Sequence, residues 1–408
     1  MSAQGGGAAV TTAEAEELEV APRLDIFRRF VQGDLAELRV ILVLIVIWAI
    51  FQVQEDRFLT AVNLTNLVLQ ITAVGLVSVG VVLVLLLGEI DLSVGAVYGL
   101  CSAIMAVLAE QHGWSPYLAI AAAIAAGAGI GLFQGTVFTR FAVPSFVVTL
   151  AGLLAWQGFQ LRVLGETGTV NVTDSKIVGL TSTFYSDTVG WVVALIAIAA
   201  FAGLTLYGRQ RRVRQGLSAP AVATLAIRIV IVAAAVIAAV AVLNSDRGVP
   251  LAALIFVGFL LVFHYVTTKT TFGRHIYAVG GNAEAARRAG INVTRVRMTV
   301  FMLCSSMAAI GGIMGASRLL AVNQSSGAGD TLLLAIAAPV IAGVSLFGGR
   351  GSVWAALLGA LVIGSISNGM DLLALESSTK FIVTGGVLLV AVVIDAVARR
   401  QREAAGRV

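Results

Sequence analysis

Charged side chains are scarce in this 408-residue sequence: they make up 12% of it, whereas hydrophobic residues make up 58%. Soluble domains carry about 25% charged residues, so this chain has too little polar surface to remain dissolved in water. Lipid cannot satisfy unpaired backbone groups, and helices solve that problem within one segment. We therefore predict an all-α integral membrane protein, a polytopic helical bundle surrounded by the lipid bilayer. The net charge of +5 then reports loop orientation and not nucleic-acid binding.

Cysteine and histidine are also rare, which argues against metal chemistry and enzymatic catalysis. The two cysteines, Cys101 and Cys304, both lie inside apolar runs and predict neither a disulfide framework nor a metal site. The three histidines, His112, His264 and His275, are scattered without the spacing of metal ligands or of a catalytic group. We predict no catalytic residue, no metal and no cofactor, and hence a protein that is not an enzyme.

A phosphate-binding lysine loop is missing as well. None of Lys176, Lys269 and Lys380 follows a glycine, so the sequence has no Walker A motif. The chain cannot bind ATP through that device.

Apolar segments, by contrast, follow one another along most of the chain. Several are shorter than the roughly 20 residues that a perpendicular span requires, so we predict about 10–12 transmembrane helices, some of them short or broken. Twelve segments can be drawn, at roughly 38–53, 65–87, 92–109, 117–138, 144–164, 190–207, 221–243, 250–267, 298–317, 331–347, 352–369 and 380–397.

The basic residues predict how these segments are oriented. If the N-terminus is cytoplasmic and every segment crosses, most of the 27 lysines and arginines fall in cytoplasmic loops. Both termini are then cytoplasmic. We predict a disordered cytoplasmic tail over 1–37, a transmembrane domain over 38–398 with a cytoplasmic loop at 268–297, and a cytoplasmic tail over 399–408.

The loop Thr268–Arg297 is one of the few long polar stretches and contains the signals of a short helix. Gly280-Gly281 interrupt the chain, and Asn282 is a good N-cap. Ala283–Ala289 are strong helix formers, and Gly290 stands where a C-terminal stop belongs. Such a helix is about 10 Å long, far too short to span a bilayer.

Charges on this predicted helix complement its dipole. Glu284 lies near the N-terminus, with Arg287 and Arg288 three and four residues later. Two interpretations stay open on pattern alone: a contact for a soluble partner, or an ordinary capped helix in a loop.

Polar residues within or beside the apolar segments are candidates for a translocation path. Glu89 and Asp91 stand between two strongly apolar segments, where carboxylates usually face a cavity or a partner charge; alternatively they belong to a short turn in water. Gln70, Gln134 and Asn368 carry amides that can both donate to and accept from a hydroxylated substrate, although amides also join helices to one another.

Two glycine-rich pieces resemble each other weakly. They are Gly88–Gly99 (GEIDLSVGAVYG) and Gly348–Gly359 (GGRGSVWAALLG), and each reads as a tight turn followed by Ser-Val and small residues. The match is compatible with an internal duplication.

Several stretches together resemble the membrane permease subunits of bacterial ABC-type sugar importers, the branch that includes ribose, galactose and xylose systems. They are Gly88–Gly95 (GEIDLSVG), Val143–Gly152 (VPSFVVTLAG), Phe272–Ile291 (FGRHIYAVGGNAEAARRAGI), Ala335–Gly349 ending in SLFGG, Asn368–Met370 and Val392–Arg400. Within that family the sequence is most similar to xylose-type permeases, because of the extra segment 217–250 and the GEID form of the first motif. The resemblance covers essentially Arg39–Arg400.

This resemblance implies a passive membrane subunit in the bacterial inner membrane. A separate ATP-binding cassette ATPase would bind the cytoplasmic loop, an extracytoplasmic binding protein would deliver a monosaccharide, xylose or a similar pentose, and two permease copies would form the pathway. By analogy the helix at 280–290 is the element that couples to the ATPase. The positions that match the family there are Gly280, Gly281, Asn282, Glu284, Ala285, Ala286, Arg287 and Gly290; Arg288 departs from the pattern.

The family often carries an acidic-Leu-acidic triplet where this chain has Leu332-Leu333-Leu334, which leaves the exact substrate open.

The alternative to an importer permease is a self-contained, ion-coupled secondary transporter. That class would have a charged loop between the second and third segments and buried coupling acids, whereas here the loop is only Gly88–Asp91.

Overall fold

The computed structural model describes residues 36–404 and is almost wholly helical over that range. The predicted tail 1–37 thus lies outside the described residues except for its last two positions, whereas residues 399–404 of the predicted C-terminal tail are described and helical. The helices are α1 Ala36–Gln54, α2 Ala61–Leu86, α3 Val94–Ala106 with a π-helical extension Val107–Gln111, α4 Pro116–Phe141, α5 Ser145–Leu164, α6 Ser175–Ser182, α7 Asp187–Arg214, α8 Val222–Asn244, α9 Leu251–Lys269, α10 Thr271–Gly281, α11 Ala283–Arg288, α12 Val293–Leu319, α13 Asp330–Ile341, α14 Trp354–Leu372 and α15 Ser377–Ala404.

Every apolar segment of the sequence overlaps one of these helices. Nine helices in the described range are long and apolar enough to cross a membrane: α2, α3 with its extension, α4, α5, α7, α8, α9, α12 and α14. Three shorter apolar helices lie within α1, α13 and α15, and α13 carries Pro339 inside its 12 residues. The prediction of a polytopic helical bundle with some short segments is confirmed.

Helix α12 lies at the centre of the bundle, in contact with α2, α3 and α4. Small residues allow the close approach: a Cβ atom at Gly131 of α4 would clash with the backbone of Phe301 on α12. Phe301, Leu76 and Met307 are fully buried in the core between these helices. By contrast, α7 and α8 lie at the edge of the bundle, with few buried residues.

Two short strand pairs mark one end of the bundle, here called the strand end. Strand β1 (Thr169–Asn171) pairs antiparallel with β4 (Ala321–Asn323), and β2 (Phe184–Tyr185) pairs with β3 (Val249–Pro250). Helices α7 and α9 both start beside the second pair and run to the opposite end, here called the loop end. The loop 268–297 follows α9 there.

The loop 268–297 contains one helix more than the sequence pattern predicts. Gly280 and Gly281 do not interrupt the chain; they are the last two residues of α10, and the break falls at Asn282, whose backbone is extended. Gly280 stays helical because its missing side chain makes room for a neighbouring segment, as described below. The predicted short helix itself is present as α11.

Candidate functional site

Helix α11 is held in shape by its own caps. The Asn282 side-chain oxygen accepts a hydrogen bond from the Ala285 amide at 2.9 Å, as predicted for an N-cap. At the other end Gly290 has a φ of +85°, and the Ile291 amide donates to the Ala286 carbonyl at 3.1 Å. This is the Schellman arrangement, in which a left-handed glycine ends the helix. The cap predictions for Asn282 and Gly290 are confirmed.

The outer face of α11 is charged and exposed. Glu284 lies 2.9 Å from Arg287 and 3.4 Å from Arg288, so one carboxylate holds both guanidinium groups. Ala285 is exposed between them, whereas Ala286 is buried and packs the helix against the bundle. The helix therefore presents a small polar face to the outside, while Ala286, with the partly buried Ala283 and Ile291, packs against the core.

Gly280 joins the loop to two other segments at the loop end. The Gly349 amide donates a hydrogen bond to the Leu86 carbonyl at 2.9 Å, linking the turn before α14 to the end of α2. A Cβ atom at Gly280 would clash with that carbonyl oxygen and would lie 2.7 Å from the Gly349 nitrogen. Only glycine allows α10 to sit directly on this hydrogen bond. Gly281, in contrast, has no atom within 4 Å of its Cβ position.

Tyr277 adds a second link between α10 and the turn before α14. Its hydroxyl donates a hydrogen bond to the Gly351 carbonyl at 2.9 Å, and burial raises the pKa of the Tyr277 phenol. Gly88 and Gly348, both with positive φ, contact each other in the same place. The two weakly similar glycine-rich pieces of the sequence thus meet at the loop end.

Glu89 pairs with a residue that the sequence analysis did not single out. Its carboxylate lies 2.8 Å from the Arg297 guanidinium, with both side chains largely shielded from solvent. The Arg297 guanidinium also lies 5.8 Å from the centre of the Phe138 ring of α4. The pair joins the α2–α3 turn to the start of α12. The apolar surroundings of Glu89 in the sequence indicated that a partner charge was needed. The sequence contains many arginines, however, and does not identify which one forms the ion pair.

Asp91 and Gln134 both contact Ser93 at the start of α3. The Ser93 hydroxyl donates to Asp91 at 2.6 Å and accepts from the Gln134 amide at 3.0 Å. The other Asp91 oxygen is buried without a hydrogen-bond partner among the described residues. Burial raises the pKa of the Asp91 carboxyl, while the hydrogen bonds from Ser93 lower it. This turn is thereby held to α4.

The remaining two candidates lie elsewhere. Asn368 of α14 is buried and accepts a hydrogen bond from the Asn63 amide at 2.8 Å, near the start of α2. Gln70 is half-buried on α2, with no side-chain hydrogen bond to another described residue. It continues an open stripe of α2 that begins with Val62 and Asn66. The five path candidates thus form no single cluster: three lie at the loop end, Asn368 lies near the strand end, and Gln70 lies between.

Comparison with known proteins gives a family and several relatives. The model of the family described as the branched-chain amino acid transport system permease component matches residues 63–392. The xylose transport system permease protein XylH of Escherichia coli K12 is 38% identical over 347 residues, covering 85% of this chain and 88% of the relative.

Two further relatives have similar coverage. The XylH protein of Haemophilus influenzae is 37% identical over 86% of this chain and 93% of its own length. The ribose import permease protein RbsC of Escherichia coli K12 is 31% identical over 90% of this chain and 96% of its own length. No solved structure matches the chain significantly.

Proposed function

Because the chain belongs to the branched-chain amino acid transport system permease family, we propose that it is the membrane-spanning subunit of an importer driven by a separate ATPase. Its family and the nine long apolar helices within residues 36–404 make it a multi-pass protein of the inner membrane. The proposed substrate is a monosaccharide, xylose or a similar pentose, since the relatives named for xylose and ribose match most of the chain. An extracytoplasmic binding protein delivers the sugar, and two copies of the chain form the pathway.

The observation that carries this proposal is the construction of α11. A six-residue helix with both ends capped and one buried alanine keeps its shape without help from a partner. Its exposed face, with Glu284, Ala285 and Arg287, is small enough to enter a groove on an ATPase. The residues that support this contact are Gly280, Asn282, Ala286 and Gly290, whereas Gly281 faces open space at the end of α10.

Two contacts support transmission of movement from α11 into the bundle. Displacement of α10 acts directly on the hydrogen bond between Leu86 and Gly349, because Gly280 lies against it. Displacement of α12 acts on the α2–α3 turn through the ion pair of Arg297 with Glu89. A change in the position of the loop would therefore be transmitted to both α2 and α14.

Among the path candidates, Gln70 is the one we assign to sugar contact. Its amide has no described partner to compete with a hydroxyl group, and the open stripe of α2 leads to it from the strand end. Glu89, Gln134 and Asn368 are engaged with other side chains, and Asp91 is bound to Ser93 through one of its two carboxylate oxygens. We propose that these four shape the path by holding helices together.

Reconstitution tests the importer against the ion-coupled alternative. The chain is incorporated into proteoliposomes with or without the ATPase that copurifies with it, and binding-protein-dependent uptake of pentoses and hexoses is measured. We expect uptake only with ATPase, binding protein and ATP, and highest for a pentose. Accumulation by the chain alone on a proton or sodium gradient would refute the importer.

The role of α11 is tested by charge reversal. Glu284→Lys breaks both ion pairs of the helix, and because all three side chains are exposed we expect a change in stability below about 1 kcal/mol. Copurification of the ATPase should fall at least several-fold. The matched control is Glu376→Lys, the same change at an exposed residue of the strand end. Equal ATPase recovery with both variants would contradict the proposed contact.

A further inference from the structure

Helix α7 extends beyond the apolar stretch that crosses the membrane. Trp191 and Tyr207 are both exposed on α7, 16 residues apart, which corresponds to roughly 24 Å along the helix. Aromatic residues of this kind favour the two membrane interfaces, and their separation approaches the thickness of the hydrocarbon core. The helix then continues past Tyr207 to Arg214. Its last two turns therefore lie at the level of the lipid headgroups.

These last turns carry a cluster of arginines without any acidic neighbour in sequence. Arg209, Arg211, Arg212 and Arg214 lie there, and no Asp or Glu occurs between Asp187 and Asp246. Arg211, Arg212 and Arg214 are exposed, and Arg209 donates only a long hydrogen bond of 3.3 Å to the Pro220 carbonyl. None of the four belongs to an ion pair within the described part of the chain.

A fifth arginine, Arg228, lies deeper in the membrane. It is exposed on α8, six residues after the helix begins, and its guanidinium lies 5.9 Å from the centre of the Phe201 ring on α7. Phe201 precedes Tyr207 by six residues, which is roughly 9 Å inside the interface. A cation at this depth is costly unless its side chain reaches toward the headgroups or an anion meets it. The neighbouring Ile227, Val230 and Ile231 are exposed and apolar.

From this arrangement we infer that the loop-end surface of α7 and α8, made of Arg209, Arg211, Arg212, Arg214 and Arg228, binds the headgroups of anionic phospholipids. Lipid phosphate supplies the negative charge that is missing near these arginines, and the acyl chains cover the exposed apolar faces of the two helices. The predicted orientation of the chain explains arginines at the loop end of α7, but it does not require one in the apolar part of α8.

A soluble acidic partner fits this surface less well than a lipid. After Ala194 no residue of α7 is buried. The half of the helix nearest the loop end is therefore exposed and accessible to acyl chains. Arg228 lies deeper in the membrane than Tyr207, where the ATPase cannot reach but a lipid headgroup drawn toward it can. We therefore place the lipid at this surface and the ATPase at α11.

Lipid retention on the full chain tests the inference. The protein is equilibrated in membranes of equal parts phosphatidylglycerol and phosphatidylcholine, extracted, and analysed by native mass spectrometry for bound lipids. We expect the ratio of bound phosphatidylglycerol to bound phosphatidylcholine to exceed the membrane ratio of one by roughly tenfold or more. Arg228→Gln should lower that enrichment about fivefold, as expected for one charge at the surface. Arg228→Lys should preserve most of it.

Two further variants test whether the lipid binds to these arginines and not to arginines elsewhere at the loop end. Arg140→Gln, an exposed solitary arginine at the loop end of α4, should leave the enrichment within twofold of the wild type. Arg211→Gln with Arg212→Gln should abolish the enrichment while the ATPase still copurifies. An unchanged lipid ratio in Arg228→Gln would overturn the inference. Loss of the ATPase from the double variant with its lipid ratio unchanged would also overturn it and assign the surface to the ATPase.

Discussion

The Glu89 carboxylate and the Arg297 guanidinium lie 2.8 Å apart and join the α2–α3 turn to the start of α12. Both side chains are largely shielded, so their attraction is less screened than at an open surface. The buried Arg297 Nε has no hydrogen-bond partner among the described residues, and this unpaired donor costs part of the free energy that the ion pair contributes. Among the described residues it is the one ion pair between the α2–α3 turn and the loop 268–297.

We expect the pair to contribute measurably to stability. Glu89→Gln, Arg297→Gln and the double variant form a cycle whose interaction energy in unfolding experiments should be about 1 kcal/mol. Each single variant should lower transport-linked ATP hydrolysis, because the α2–α3 turn is no longer tied to α12. If the two single effects on stability simply add, the ion pair makes no net contribution and this account is wrong.

Gly280→Ala should damage the protein far more than Gly281→Ala. The added methyl group at Gly280 meets the Leu86 carbonyl and displaces α10 or the Gly349 turn, at a cost of roughly 1–3 kcal/mol. The same change at Gly281 enters open space and should be neutral or slightly stabilising. Thermal unfolding and transport-linked ATP hydrolysis measure the difference. Equal behaviour of the two variants would show that α10 does not depend on this close approach.

Gly290→Ala should loosen the C-terminal end of α11. A left-handed conformation costs a non-glycine residue about 1 kcal/mol, and Gly290 holds a φ of +85°. Hydrogen exchange of the Ile291 amide, which bonds to the Ala286 carbonyl, should accelerate roughly fivefold. Gly281→Ala serves as the control, since Gly281 needs no positive φ. Unaltered exchange at Ile291 would mean that the cap does not limit the stability of α11.

Substitutions of Gln70 and Asn368 should distinguish a residue that takes part in transport from a residue that contributes to stability. Gln70→Leu removes an amide without a described partner, so we expect sugar uptake to fall at least several-fold with little change in stability. Asn368→Leu leaves the buried Asn63 amide without its bond to Asn368, which costs roughly 1–3 kcal/mol. Sugar uptake by the Asn368→Leu variant should fall only to the extent that its stability falls. Normal uptake by Gln70→Leu would remove Gln70 from the path.

Much of α11 was predictable because the signals are local. Asn282 bonds to an amide three residues away, Glu284 to arginines three and four residues away, and Gly290 closes the turn that it follows. Such contacts depend only on the helical repeat and on the properties of individual residues. Helix α10 was missed because two adjacent glycines locally favour a break, whereas packing against Leu86 keeps Gly280 helical.

The sequence by itself determined the membrane class, the twelve apolar segments and the capped loop helix, since hydropathy and capping act through residues that are close in the chain. Only the tertiary structure decided which polar groups meet. Asn63 and Asn368 are 305 residues apart, and Glu89, Arg297, Gly280 and Gly349 come from four separate segments. A buried polar group requires a partner, but the sequence does not say which one. Helix packing makes that choice, because it fixes which segments lie close enough to form the bond.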